Sequence, residues 1–355
     1  MAIISNPYRA GAARFDIGAE VPFPSTDAQA SLALLSLCPA HGETPLRTVT
    51  ALARDCDVAE VLIKDECGRM GLGSFKALGA AYVIACEAEK TKRGDNWRDA
   101  LAGRAFVTAS AGNHGMSVAA GARVFGARAV IYLAETVPES FAERLREKGA
   151  EVRREGAEYE ASMAAAARAA ESEGLTLLSD SSWPGYFDLP HRLMEGYLAM
   201  ADEISRQMAE APTHVFLQAG VGGLAGAVAA HLRKVWGDDP VITVVEPEAA
   251  PALFVSIEAG RFTAAKGPVS NMGRLDCKEA SLIALKGLAR DADFFATVSD
   301  EAAQAATGRL TGEGITTTPS GAAGVAALLD PAICKAVGAG SEARILTIVS
   351  EGSDG

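Results

Sequence analysis

Lys76 has the most chemically suggestive setting in the chain: it ends Gly71-Leu72-Gly73-Ser74-Phe75-Lys76 and precedes an apolar run over 77–85. A lysine at the start of a helix faces the positive end of the backbone dipole, so a compensating group should stand near it. In a desolvated pocket its amine gives up its proton more readily and becomes a nucleophile able to form a Schiff base; the alternative is a solvated loop lysine. In Ser110-Ala111-Gly112-Asn113-His114-Gly115 the small residues leave backbone amides open to a carboxylate or phenolate, although Asn-His is also ordinary turn chemistry. Gln218-Ala219-Gly220-Val221-Gly222-Gly223-Leu224-Ala225-Gly226 runs from an apolar strand through glycines into an alanine-rich helix, and the unpaired amides of such a helix start suit phosphate. The same residues read as Gly-x-Gly-x-x-x-Gly with Glu246 ending the next strand, which fits a dinucleotide fold, and tight helix–sheet packing also explains the glycines. Asp180, after another strand, is either an acid for a substrate or a helix cap. Ser350-Glu351-Gly352 follows the last strand.

The elements that must position these residues are short β-rich runs near 60–64, 104–108, 128–133, 175–179, 214–218, 241–245, 294–298 and 344–349, alternating with alanine-rich helical stretches. The spacing predicts helices over 138–148, with Pro138 at its first turn and Gly149 as a stop, and over 159–173, with a brief strand at 151–153 between them. Alternation of this kind is the pattern of parallel sheets covered by helices. In open α/β sheets ligands bind beyond the carboxyl ends of the strands. That rule puts Ser110 to Gly115, Asp180, the glycine turn, Glu246 and Ser350 to Gly352 on one side.

The chain has 355 residues, long enough for two domains at roughly 150 residues each. Hydrophobic residues at 49% and charged residues at 22% exclude a wholly disordered chain. A net charge of −12 without a basic patch argues against nucleic acid and anionic membrane surfaces as partners. The six cysteines form no Cys-x-x-Cys pair and share no metal-ligand spacing with the five histidines, so no metal is expected and a reducing cytoplasm is the simplest compartment. No apolar run approaches the roughly 18 residues of a membrane span, and the opening residues lack the apolar core of a signal peptide.

Taken together, Ser-Phe-Lys, Ser-x-Gly-Asn-His-Gly, Gly-x-Gly-Gly-x-x-Gly and the terminal Ser-Glu-Gly, in this order, resemble the fold-type II pyridoxal phosphate enzymes of the tryptophan synthase β and threonine dehydratase group. Within that group the chain is most similar to the diaminopropionate ammonia-lyase family. The likeness rests on Ile63-Lys64-Asp65-Glu66, on the lysine region through Gly79, on Leu178 to Tyr186, and on Met194-Glu195-Gly196-Tyr197 with Ala201-Asp202-Glu203. It runs from about Thr44 to the end.

The resemblance implies two open twisted α/β domains with pyridoxal 5'-phosphate in the cleft between them. A smaller domain at 97–187 would be inserted into a larger one formed by 1–96 and 188–355. It makes Lys76 the cofactor lysine and Asn113 the partner of the ring oxygen. Gly220, Val221, Gly222, Gly223 and Leu224 would cradle the phosphate by backbone amides, and Ser350 would meet the pyridine nitrogen. Ser110, Ala111, Gly112 and His114 would form the substrate loop, with Asp180 facing the β-substituent, where a carboxylate suits an ammonium group.

The implied reaction is α,β-elimination from a small amino acid, 2,3-diaminopropionate giving pyruvate and ammonia, in a cytoplasmic homodimer. Alternatives are a serine, threonine or hydroxyaspartate dehydratase on the same scaffold, and a nicotinamide-dependent oxidoreductase using the glycine turn and Glu246. Two departures bear on substrate. Relatives carry aspartate at the position of Ala111, where it is implicated in handling the D-isomer, and a glutamate in the loop where this chain has Thr318-Pro319-Ser320-Gly321.

Overall fold

A computed structural model describes residues 1–353. Its strands are β1 (Ile3–Ser5), β2 (Leu46–Thr48), β3 (Glu60–Asp65), β4 (Ala105–Ala109), β5 (Arg128–Leu133), β6 (Glu151–Arg154), β7 (Thr176–Leu177), β8 (His214–Gln218), β9 (Val241–Pro247), β10 (Phe294–Val298) and β11 (Arg344–Val349). They make two sheets. One has seven strands in the order β1-β10-β9-β8-β11-β3-β2, and the other four in the order β6-β5-β4-β7.

Every pairing in the smaller sheet is parallel. In the larger sheet only the outermost pairs, β1 with β10 and β2 with β3, are antiparallel. Parallel strands need a long crossover, and here the crossovers are the helices that cover the sheet faces. Being covered on both faces, β4 and β8 are buried at all five residues of each rather than at alternate ones, with Thr108, His214 and Gln218 the polar members of otherwise apolar runs. Sequence reading missed β1 and β2. Three-residue edge strands carry too little pattern to register, and their pairing is decided by the neighbour they lie against. The expected strand at 175–179 shrinks to Thr176–Leu177.

The Lys76–Thr91 helix crosses the Asp188–Gln207 helix at a point where two glycines meet. A β-carbon on Gly196 would lie 2.6 Å from the Leu78 carbonyl oxygen and 3.0 Å from Gly79 Cα. This close approach fixes the start of the first helix, and so Lys76, against the helix that carries Tyr197. Behind that contact lies a buried ion network. Arg69 bonds Glu66 at 2.7 Å and Glu203 at 2.6 Å, and Lys64 reaches Glu203 at 2.8 Å, with all four side chains at most 1% exposed. Two cations and two carboxylates cancel there, which is how charge is tolerated in a core.

Candidate active site

Five strand ends deliver the residues of interest to one crevice. From β3 the chain passes through Gly71 and Gly73, both at positive φ, to Ser74 and Lys76. Phe75 N donates to the Ser350 carbonyl, so the lysine turn is stitched to the end of β11. The compensating group that a lysine at a helix start requires is Asp180: its carboxylate pairs directly with Lys76 Nζ. Burial alone would lower the lysine, and the adjacent Asp180 charge outweighs it and holds the ammonium form above the ordinary lysine range. In turn burial pushes the Asp180 carboxyl up, and Lys76 outweighs that and holds it well below the usual carboxylate range. Asp180 is no helix cap, since the next helix begins only at Asp188.

The loop after Asp180 is held rigidly. Tyr186 Oη donates to the Leu177 carbonyl at 2.8 Å and accepts from Ser179 N, and its ring stacks on Trp183 with centroids 4.3 Å apart. Ser182 Oγ and Ser281 Oγ share a hydrogen bond of 2.7 Å that ties the loop to the Leu282–Asp291 helix.

From β4 comes the Asn113 loop. Ser110 Oγ accepts from the amides of Gly112 and Gly115 at 3.2 and 3.1 Å and so shapes the turn. Ala111 is exposed at its tip. His114 turns inward: burial lowers its pKa, the ring stays neutral, and Nε2–H donates to the Leu178 carbonyl at 2.8 Å. Asn113 Nδ2 donates to the Glu351 carboxylate, whose other oxygen accepts from Thr318 Oγ1 and stands 3.5 Å from Arg274 Nε. Ser350 is 4% exposed beside it. Sequence reasoning singled out Ser350 and the loop of Thr318 and passed over the Glu351 side chain and Arg274. Glu351 was within reach, being in the same motif, whereas Arg274 sits in a long loop with no local signal. A carboxylate therefore does stand at Thr318, supplied by the end of β11 rather than by the Thr318 loop itself.

The glycine turn after β8 serves packing and leaves open the amides at the start of the helix that follows it. Gly222 has φ +95°, and a β-carbon on it would lie 3.0 Å from Ala284 Cβ. One on Gly220 would lie 3.1 Å from the Arg274 carbonyl oxygen. The packing reading is thus right for these two residues. It does not compete with anion binding, because the Gly223–Trp236 helix starts without a side-chain cap, and the amides of its first turn have no partner within the helix. Gly223 and Leu224 lie in that turn, with Val221 immediately before Gly222.

The dinucleotide alternative fails at Glu246. Its two oxygens accept from Leu253 N at 2.8 Å and Phe254 N at 2.7 Å, and the residue is fully buried. It closes the start of the Ala252–Ala259 helix and is not available to a ribose.

The Lys76 amine, the Asn113 amide, the Ser350 hydroxyl and an uncapped helix start converge on one crevice. That donor set fits a phosphorylated aldehyde: amine for the carbonyl, amides for the phosphate, Asn113 and Ser350 for the ring. Known proteins agree with this chemistry. Diaminopropionate ammonia-lyase of Salmonella typhimurium is 32% identical over 289 residues, covering 76% of this chain and 72% of that one. L-serine dehydratase/L-threonine deaminase of Homo sapiens is 32% identical over 271 residues, covering 76% of each. The crystal structure of diaminopropionate ammonia lyase from Escherichia coli, in complex with an aminoacrylate-PLP azomethine reaction intermediate, superposes with a TM-score of 0.86 at 29% identity, over 99% of this chain and 94% of that one. The protein-family model for pyridoxal-phosphate dependent enzymes matches residues 37–351. The chain belongs to that family, has the fold-type II architecture, and takes pyridoxal phosphate as its cofactor.

Proposed function

We propose that the protein is a lyase that eliminates the β-substituent of a small amino acid, with 2,3-diaminopropionate as first substrate and pyruvate and ammonia as products. The observation that carries this is the Lys76–Asp180 ion pair. Pyridoxal phosphate, when bound, supplies the electron sink that makes the substrate Cα–H acidic. The remaining work falls to side chains. When its amine is engaged by the cofactor, Lys76 would no longer offer Asp180 a free ammonium group, and a substrate β-ammonium would take that place. Asp180 then orients that group by a charge-assisted hydrogen bond as it departs. Lys76, once released, is the base that takes the Cα proton, on the one face it can reach. Asn113, which here donates to Glu351, would hold the ring oxygen, and Ser350 would hold the pyridine nitrogen. The amides of Gly220, Val221, Gly222, Gly223 and Leu224 hold the phosphate, and the loop of Ser110, Ala111, Gly112 and His114 receives the substrate carboxylate.

A serine, threonine or 3-hydroxyaspartate dehydratase is the second reading, supported by the human relative. A neutral β-hydroxyl would leave Asp180 without a counter-charge, which favours the ammonia-lyase. We further propose that 97–187 forms a smaller inserted domain, a division that the separate four-stranded sheet supports. We read the assembly as a cytoplasmic homodimer; the six free cysteines suit a reducing compartment, and sedimentation tests the dimer. Among the described residues no single helix is long and apolar enough to cross a membrane.

Release of 2-oxo acid should be screened with both isomers of 2,3-diaminopropionate and with serine, threonine and 3-hydroxyaspartate. The expected result is preference for L-2,3-diaminopropionate. Ala111 offers no acid for the opposite face, so the D-isomer should react slower by on the order of 10², and Ala111→Asp should raise D-activity selectively. Equal turnover of the two isomers overturns the stereochemical argument. Reaction of the hydroxy amino acids alone hands the assignment to the dehydratase.

A further inference from the structure

The Asp188–Gln207 helix carries one group that this scheme leaves idle. Tyr197 is 1% exposed, and its hydroxyl has no hydrogen-bond partner among the described residues. A phenylalanine would fill the same space without burying an unpaired polar atom, so the hydroxyl calls for an acceptor. The ring is pinned on three sides. It packs against Phe75 with centroids 4.9 Å apart at 60°. A β-carbon on Gly79 would lie 2.7 Å from its Cε1, and one on Gly223 would lie 3.6 Å from its Cε2. These two carbons flank the one that bears the hydroxyl. The hydroxyl therefore emerges between the first turn of the Lys76 helix and the first turn of the helix that follows the glycine turn. Neither helix start has a side-chain cap. Lys76 and Asp180 are both within electrostatic reach. The Lys76 ammonium only donates, and the Asp180 carboxylate makes no hydrogen bond with the Tyr197 hydroxyl. The acceptor that the glycine turn brings to this place is a phosphoryl oxygen.

We propose that the Tyr197 hydroxyl donates a hydrogen bond to the cofactor phosphate, making it a side-chain arm of a cradle otherwise built from backbone amides. This rests on the reading of Lys76 and residues 220–224 as the pyridoxal phosphate site. Tyr197 binds and positions the phosphate and takes no part in proton transfer at Cα. Because the bond goes to an anion and forms in a buried place, its loss weakens the phosphate specifically.

The test compares wild type and Tyr197→Phe, as full chains stripped of cofactor, for equilibrium binding of pyridoxal phosphate and of pyridoxal, read by absorbance. Pyridoxal lacks the phosphate but still condenses with Lys76. The expected result is a dissociation constant for pyridoxal phosphate raised roughly 10- to 100-fold, with that for pyridoxal changed by less than about 2-fold. The stripped variant should melt no lower than wild type, since every ring contact is kept. Equal weakening of both aldehydes overturns the proposal by moving the hydroxyl's role to Lys76. Unchanged binding of both overturns it by making Tyr197 a silent core residue. Wild type that takes up neither aldehyde defeats the cofactor-site reading itself, and this proposal with it.

Discussion

Asp180 is the residue on which the proposed substrate choice rests, because among the described residues it is the acid paired with Lys76. Replacing it with asparagine keeps the shape and removes the charge. Asp180→Asn should lower kcat/KM for 2,3-diaminopropionate by roughly 10²- to 10⁴-fold, the range of a positioned acid or base, while any activity on serine falls less. Parallel losses on both substrates would mean that Asp180 serves Lys76 and not the leaving group. For Lys76 itself, borohydride reduction and peptide mapping should find the cofactor on this lysine, and an adduct on another lysine would remove the chemistry from this crevice.

At the scale of elements, the glycines separate into those that build helix contacts and those that leave room for a ligand. Gly196→Ala would drive a β-carbon into the Leu78 carbonyl oxygen, 2.6 Å away, where two helices cross. The backbone must part there, at a cost of about 1–3 kcal/mol, and Lys76 shifts with its helix. A denaturant melt and cofactor retention should both worsen. Gly222→Ala meets a left-handed backbone as well as Ala284, and should lose folding stability first. Gly223 has φ in the ordinary range and only van der Waals contact at 3.6 Å, so Gly223→Ala should leave the melt nearly unchanged and still weaken cofactor retention by crowding the phosphate side. If the Gly223 variant unfolds without selective cofactor loss, packing is the whole role of this turn.

For the whole molecule, buried charge sets the response to pH. Burial lowers the pKa of four histidines, His41, His114, His214 and His231. A histidine lowered in the folded state binds its proton more readily when unfolded. The unfolded chain therefore takes up more protons below the ordinary histidine range, and stability falls as pH drops below about 6.5. Denaturant titrations at pH 7, 6 and 5 should show this loss, and stability that holds or rises on acidification would refute it. The network of Lys64, Glu66, Arg69 and Glu203 behaves differently, being sensitive to removal of one member. Glu203→Gln would leave Arg69 with Glu66 alone and Lys64 without a carboxylate, one uncancelled buried charge, and should cost about 3–5 kcal/mol, measured by the same titrations.

How much of this was legible in the sequence depends on how local each cause is. The strands that cross the sheet interiors, the helix after Pro138 and the uncapped glycine turn all follow from residue order, because apolar runs, prolines and glycines act on their immediate neighbours. Lys76 announced by its place at a helix start that it needed an anion, and the motif order identified the cofactor. What tertiary structure decided was partnership. The pairing of Asp180 with Lys76 and the Glu351 carboxylate shared by Asn113 and Thr318 join residues far apart in the chain, and the Tyr197 hydroxyl, without a partner among the described residues, stands between the starts of two helices that are also far apart. Their chemistry exists only where parallel strands, linked by long crossovers, end side by side, and no spacing along a single chain encodes which ends will meet.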